Sequence, residues 1–225
     1  MAGSDERETR ILDAALELIT HYGYDRTPVS EIAEKAGVSK GAIYLHFESK
    51  TALFEALLNR EMNAYADDWI KRLEADPEGG TIGSVYKHTL GAVNANRFMR
   101  AIFNQDRRML GKYLNETDQM FNLKTAIEAR ATLIRRLQEV KAVRADADPY
   151  VVSYLISVLV SGITSMDAIM PEEDIPPFDD LLMTFGHMVD SYLTTDDEYD
   201  REMGKQVIRE VVNQYRRAST EVDSE

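Results

Sequence analysis

The chain has 225 residues, 44% of them hydrophobic, no cysteine and a net charge of −13. That is enough apolar material for a sizeable core in one large or two small domains. It excludes disulfides and thiolate metal sites, as suits the reducing cytoplasm expected here. The acidic balance argues against indiscriminate polyanion binding, and the polar start MAGSDERETR lacks the apolar run that opens a signal peptide.

The first predicted helix runs from Glu6 to Tyr22, with Ile11, Ala15, Leu18, Ile19 and Tyr22 as its apolar stripe and Gly23 at its end. Thr27 to Lys50 then reads as two short helices, a tight turn between them, and the start of a long helix. Thr27 and Pro28 suit the opening of the first, as a hydroxyl cap followed by a residue that lacks the donor a first turn would waste. Val29, Ile32, Ala33 and Ala36 share one face, and Gly37 suits a left-handed end. Ser39 suits the cap of the second helix, Lys40 to His46, which Ile43 and Phe47 anchor to the first. A helix, a glycine-containing turn and a second helix form the helix-turn-helix pattern, whose second helix enters the DNA major groove. An ordinary pair of core helices would show the same turn. Charge does not single out a DNA face, because residues 1–50 hold six basic and nine acidic side chains. Any positive surface must be local, which predicts modest non-specific affinity.

The run Ala36-Gly37-Val38-Ser39-Lys40-Gly41-Ala42-Ile43-Tyr44-Leu45-His46-Phe47, with Ser49-Lys50 after it, closely resembles the TetR family of bacterial transcriptional regulators. Ile11-Leu12-Asp13-Ala14-Ala15 and Tyr22-Gly23-Tyr24 resemble that family's first helix and its exit. The likeness covers roughly the first 60 residues. With no strand pattern along the chain, the reading is an all-α protein with an N-terminal three-helix DNA-binding domain at 1–50 and a helical effector-binding and dimerisation domain at 51–217, and the polar run 218–225 reads as a disordered tail. The likeness implies a homodimeric repressor on a palindromic double-stranded DNA operator, released by a small-molecule effector. An activator, or a protein-binding adaptor on the same fold, remains open. Carried over by position, the resemblance puts Ser39, Lys40, Gly41 and Tyr44 at the groove, and Thr27, Tyr44, His46 and Lys50 on phosphates.

The fourth helix leaves Ser49 and continues through Met62, Tyr65, Trp69 and Leu73 to the breaker run Asp76-Pro77-Glu78-Gly79-Gly80. Interrupted helical stretches occupy Thr81 to Lys112, followed by helices near Asp118 to Val140, Tyr150 to Met170, Phe178 to Leu193 and Tyr199 to Arg217. The last of these departs from the simplest family plan. Tyr150 to Met166 carries no charge but holds four serines and no Lys or Arg anchor, so burial on several faces suits it better than a membrane span. Trp69, Phe98, Met99, Phe103, Tyr113, Phe121, Tyr154 and Met166 are candidates to line a pocket for a largely apolar ligand, although core packing accounts for most such residues. Ser153, Ser157 and Ser161 recur every four residues and offer a shallow groove for a helix ridge. With Leu181, Phe185 and Val189 they form the expected dimer interface, in agreement with the family's usual pairing through its last two main helices. The alternative is that the serine row packs against a neighbour in its own chain. No phosphate loop, nucleophile elbow or paired metal ligands appear, so neither cofactor, metal nor enzymatic activity is expected.

Overall fold

The computed structural model describes residues 2–116, 123–166, 169–195 and 200–222. Among them all regular structure is helical. The helices are α1 (Ala2–Tyr22), α2 (Val29–Ala36), α3 (Lys40–His46), α4 (Lys50–Ala75), α5 (Ile82–Ala95), α6 (Arg97–Phe103), α7 (Arg107–Leu110), α8 (Tyr113–Glu116), α9 (Leu123–Glu139), α10 (Pro149–Ser165), α11 (Phe178–Leu193) and α12 (Arg201–Val222). None of the described helices is long and apolar enough to cross a membrane. The terminal helix continues to Val222, so the polar run expected as a loose tail is helical over 218–222.

The helices fall into two compact units that do not follow chain order. One comprises Met1–Ala64 and Asn96–Phe121, the other Tyr65–Ala95 and Asn122–Glu225. Helix α4 contributes residues to both.

In the first unit, hereafter the head, α1 lays Ile11, Ala15 and Ile19 against the buried face of α2, which carries Val29, Ile32, Ala33 and Ala36. Phe54 of α4 anchors an aromatic cluster. Its ring stands 4.4 Å from Tyr113, 5.1 Å from Tyr24 and 5.9 Å from Phe98. The turn after α1 is fastened to α7, where the Tyr24 N–H donates to the Met109 carbonyl at 2.7 Å. Gly111 makes this approach possible, because a Cβ there would fall 2.4 Å from an Asp25 carboxylate oxygen.

In the second, larger unit, α5 packs along α11 and α9 along α10. The α5–α11 seam is close enough that a Cβ on Gly83 would meet the Gly186 carbonyl at 2.4 Å. Asp190 closes the seam, accepting from the Gly83 N–H at 2.7 Å and the Thr81 hydroxyl at 2.8 Å. The core holds Trp69, Leu73, Tyr86, Leu90, Ile134, Leu137, Ile156, Leu182 and Phe185. Asp148 caps α10 through the Tyr150 and Val151 N–H groups, with Pro149 in its first turn, as the Asp-Pro opening suggests.

Candidate nucleic-acid interface

The turn between α2 and α3 is set by local chemistry. Gly37 ends α2 with φ 67°, and its N–H and that of Val38 return to the Glu34 and Ala33 carbonyls. Ser39 then caps α3, its hydroxyl accepting from the Ala42 N–H at 3.1 Å. Ile43 and Phe47 are buried, which fixes α3 on the head and turns its other side outward.

That outer side carries Ser39, Lys40, Gly41, Tyr44 and Leu45, all exposed. The Lys40 ammonium lies 5.9 Å from the centre of the Tyr44 ring. A Cβ on Gly41 would meet only the Ser39 hydroxyl, at 3.9 Å, so nothing inside the head demands glycine there. Leu45 is 86% exposed, the most exposed large apolar side chain among the described residues. Sequence reasoning passed over it because it is an ordinary helix former. The signal was its position off the Ile43–Phe47 row.

Three of the residues expected on phosphates have partners within the head. Thr27 is fully buried, and its hydroxyl donates to the Gly23 carbonyl at 2.9 Å, inside the α1–α2 turn. It neither caps α2, where Pro28 holds the cap position without a side-chain bond, nor reaches the surface. The half-buried Lys50 ammonium donates to the Tyr24 carbonyl and lies 4.2 Å from the centre of the Tyr24 ring. His46 is half-buried, 3.9 Å from a Glu8 carboxylate oxygen. Other basic groups of the head are neutralised locally, Lys35 by Glu17 at 2.6 Å and Arg60 by Asp13 at 2.7 Å. This is how an acidic head keeps a local cation at α3. Its acidic groups on α1 are partly engaged by cations away from that helix.

The residues expected to line a ligand pocket are divided between the two units. Phe98, Met99 and Tyr113 are buried in the head with Phe54, and Phe103 on α6 is half-buried there. Trp69 belongs to the core of the larger unit, where its indole N–H donates to the Thr89 hydroxyl at 3.1 Å. Tyr154 stands half-exposed on α10, Met166 is half-buried at that helix's end, and Phe121 lies outside the described residues.

Most of the residues expected at the dimer interface are buried within this chain. Ser153 and Ser157 are buried against α9, Ser153 donating to the Ile127 carbonyl at 2.9 Å, so neither is available to a partner. Phe185 and Val189 are buried within the larger unit, Phe185 edge-on to Tyr86 of α5, and Leu181 is half-buried. Ser161 is exposed. The opposite side of α10 presents Val151, Tyr154, Leu155, Val158 and Leu159 to solvent, and the outer side of α11 presents Met183, Met188 and Tyr192. The physical reason is that small hydroxyls suit the close α9–α10 contact and can be satisfied there, leaving the large side chains outside.

Among the described residues no group of His, Cys, Asp or Glu could hold a metal ion. The sequence model for bacterial regulatory proteins of the tetR family matches residues 11–57. The A-factor receptor protein of Streptomyces griseus is 37% identical over 75 residues, 33% of this chain and 24% of that one. The fatty acid metabolism regulator protein of Bacillus subtilis is 40% identical over 67 residues, 30% of this chain and 32% of that one. The chain thus spans about a quarter to a third of these relatives. Two solved structures share its fold over most of its length. SmeT, the repressor of the Stenotrophomonas maltophilia multidrug efflux pump SmeDEF, aligns with a TM-score of 0.60 at 20% identity, covering 86% of this chain and 93% of that one. FadR from Bacillus subtilis in complex with stearoyl-CoA aligns with a TM-score of 0.61 at 17% identity, covering 80% and 96%. Residues 11–57 therefore match the helix-turn-helix head of the bacterial TetR family, and the described residues share the helical fold of these solved structures.

Proposed function

We propose that the chain is a DNA-binding transcriptional regulator, a dimeric repressor that leaves a palindromic operator when a small molecule binds its larger helical unit. The observation that carries this reading is the outer face of α3. Its polar and apolar groups project outward from a helix held by buried Ile43, with no internal role for Gly41, Tyr44 or Leu45. Lys40 suits a guanine edge or a phosphate, Leu45 a thymine methyl, and Gly41 allows close approach of backbone to bases. The exposed side chains of α10 and α11 suit a second copy of the chain, since an apolar patch of this kind marks an interaction surface. A twofold axis there would set each patch against itself and mirror the symmetry of the operator.

Selection from a random duplex pool, followed by sequencing, tests the reading. The expected product is an inverted repeat, with no enrichment by the Lys40→Ala/Tyr44→Ala protein. Equal enrichment by that variant would remove α3 from the interface.

A further inference from the structure

The head holds a polar cleft of about 510 Å³, away from the outer face of α3. Its walls are the α1–α2 turn and the corner between α6 and α7, all within this unit. Backbone contacts fasten the two walls together. Besides the Tyr24–Met109 bond, a Cβ on Gly23 would fall 2.5 Å from the Arg108 carbonyl, an approach that glycine admits. The corner is sharp, with Gln105 at φ 50° and Asp106 capping α7 through the Arg108 N–H at 2.8 Å.

Four guanidiniums line this cleft, Arg26 from the turn and Arg97, Arg107 and Arg108 from α6 and α7. Among the described residues none of the four pairs with a carboxylate, whereas Lys35 and Arg60 of the same head do. Two carboxylates share the lining, and each accepts a backbone N–H, Asp25 from Lys112 at 3.3 Å and Asp106 from Arg108. Four guanidiniums against two carboxylates leave two positive charges, in a chain whose net charge is −13. Cations gathered in a concave wall without a counter-ion attract a polyanion, and guanidinium forks match pairs of phosphate oxygens.

The same cleft has an aromatic side. Tyr22 lines it and is 51% exposed, with the His21 ring edge-on at 4.4 Å. A flat exposed ring beside cations suits a planar base joined to phosphates. The volume falls within the roughly 300–1,000 Å³ of small-molecule sites. Duplex DNA read by α3 is a poorer match. His46, which ends α3, lies beside Glu8 of α1, and the cleft begins at Thr20. Those twelve residues of helix place the cleft roughly 18 Å further along α1, at about 1.5 Å per residue.

We propose that this cleft binds a nucleotide carrying at least two phosphates, the four arginines holding the phosphates and Tyr22 the base. The proposal goes beyond the regulator reading, whose effector belongs to the larger unit, and does not rest on it.

Calorimetry on the full chain, in metal-free buffer at low salt, would compare ADP, inorganic pyrophosphate and adenosine. ADP is expected to bind and to raise the melting temperature. Pyrophosphate is expected to bind several-fold more weakly than ADP, and adenosine at least a hundredfold more weakly. Arg107→Gln with Arg108→Gln is expected to lower the affinity for ADP and pyrophosphate at least tenfold, with the melting temperature of the unliganded protein unchanged. Tyr22→Ala is expected to bring ADP down to the affinity of pyrophosphate and to leave pyrophosphate unaffected. Lys40→Ala, on α3, is expected to keep full ADP affinity. No binding of ADP, adenosine binding as tightly as ADP, or full ADP affinity in either the double arginine variant or Tyr22→Ala would overturn the proposal. An equal loss in Lys40→Ala would also overturn it, by showing diffuse attraction to the head. Weaker binding of the selected duplex by the double arginine variant, with ADP displaced by that duplex, would assign the cleft to the DNA backbone instead.

Discussion

The head and the larger helical unit differ in where their defining polar contacts lie along the chain. In the head, Ser39, Ser49 and Gly37 satisfy helix ends a few residues away, and Thr27 bonds four residues back. In the larger unit, polar groups meet across long stretches of chain: Thr81 with Asp190, Arg130 with Ser157, Trp69 with Thr89. Some, such as the Tyr86 hydroxyl, meet nothing. A unit organised by local caps presents one fixed surface, as a DNA reader requires.

The strongest way to break this comparison is to separate the copies. Leu155→Arg with Val158→Arg places two charges on the exposed side of α10, away from the core. The expected product is folded and monomeric by sedimentation, with operator affinity down by a hundredfold or more. The pair Ser157→Arg and Ser161→Arg would not be a clean test, since Ser157 faces Arg130 inside the unit. Next in size, Lys40→Ala with Tyr44→Ala should cost roughly 2 kcal/mol of specific DNA binding, with two contacts at the lower end of about 1–3 kcal/mol each and the melting temperature unchanged. Gly37→Ala is smaller. Its φ of 67° is strained for alanine although there is space for the methyl, so about 1 kcal/mol of stability should be lost in denaturant titrations.

The smallest effect lies in pH. Burial holds His88 below its ordinary value of 6.5, against the pull of Asp76, whose carboxylate is 2.9 Å away. Asp76 is itself held below 3.8, because hydrogen bonds from Lys87, the Glu78 N–H and His88 outweigh its burial. Both folded values are depressed, so both contributions are present at neutral pH and lost on acidification, His88 first, below about 6.5. Asp190 runs the other way. Burial raises it, so its contribution is greatest at low pH and lost as pH rises. The wild type should therefore lose more melting temperature than His88→Gln between pH 7.5 and 5.5.

The same contrast explains what the sequence revealed. The stop of α2 at Gly37 and the cap of α3 at Ser39 are written within a few residues, and α10 announces its start with Asp148-Pro149. The orientation of α10 is not written this way. Its serine row and its row of Val151, Leu155 and Val158 both demand company, and helical spacing cannot say which faces the chain's own α9. That is decided by the Ile127 carbonyl and Arg130, more than twenty residues away. The bonds of Thr27 and Lys50 to the carbonyls of Gly23 and Tyr24 are hidden for the same reason, since those carbonyls belong to a turn whose path the pattern does not show. The grouping of 96–121 with the head depends on the Tyr24–Phe54–Tyr113 cluster, a set of contacts between distant residues.

The most direct test of the central claim is the stoichiometry and salt dependence of binding to the selected duplex, followed by fluorescence anisotropy and sedimentation. Two chains per duplex are expected, with a salt slope that falls when Lys40 is replaced by alanine and tight binding lost in Leu155→Arg/Val158→Arg. A single chain binding at full affinity, with a slope indifferent to Lys40, would contradict it.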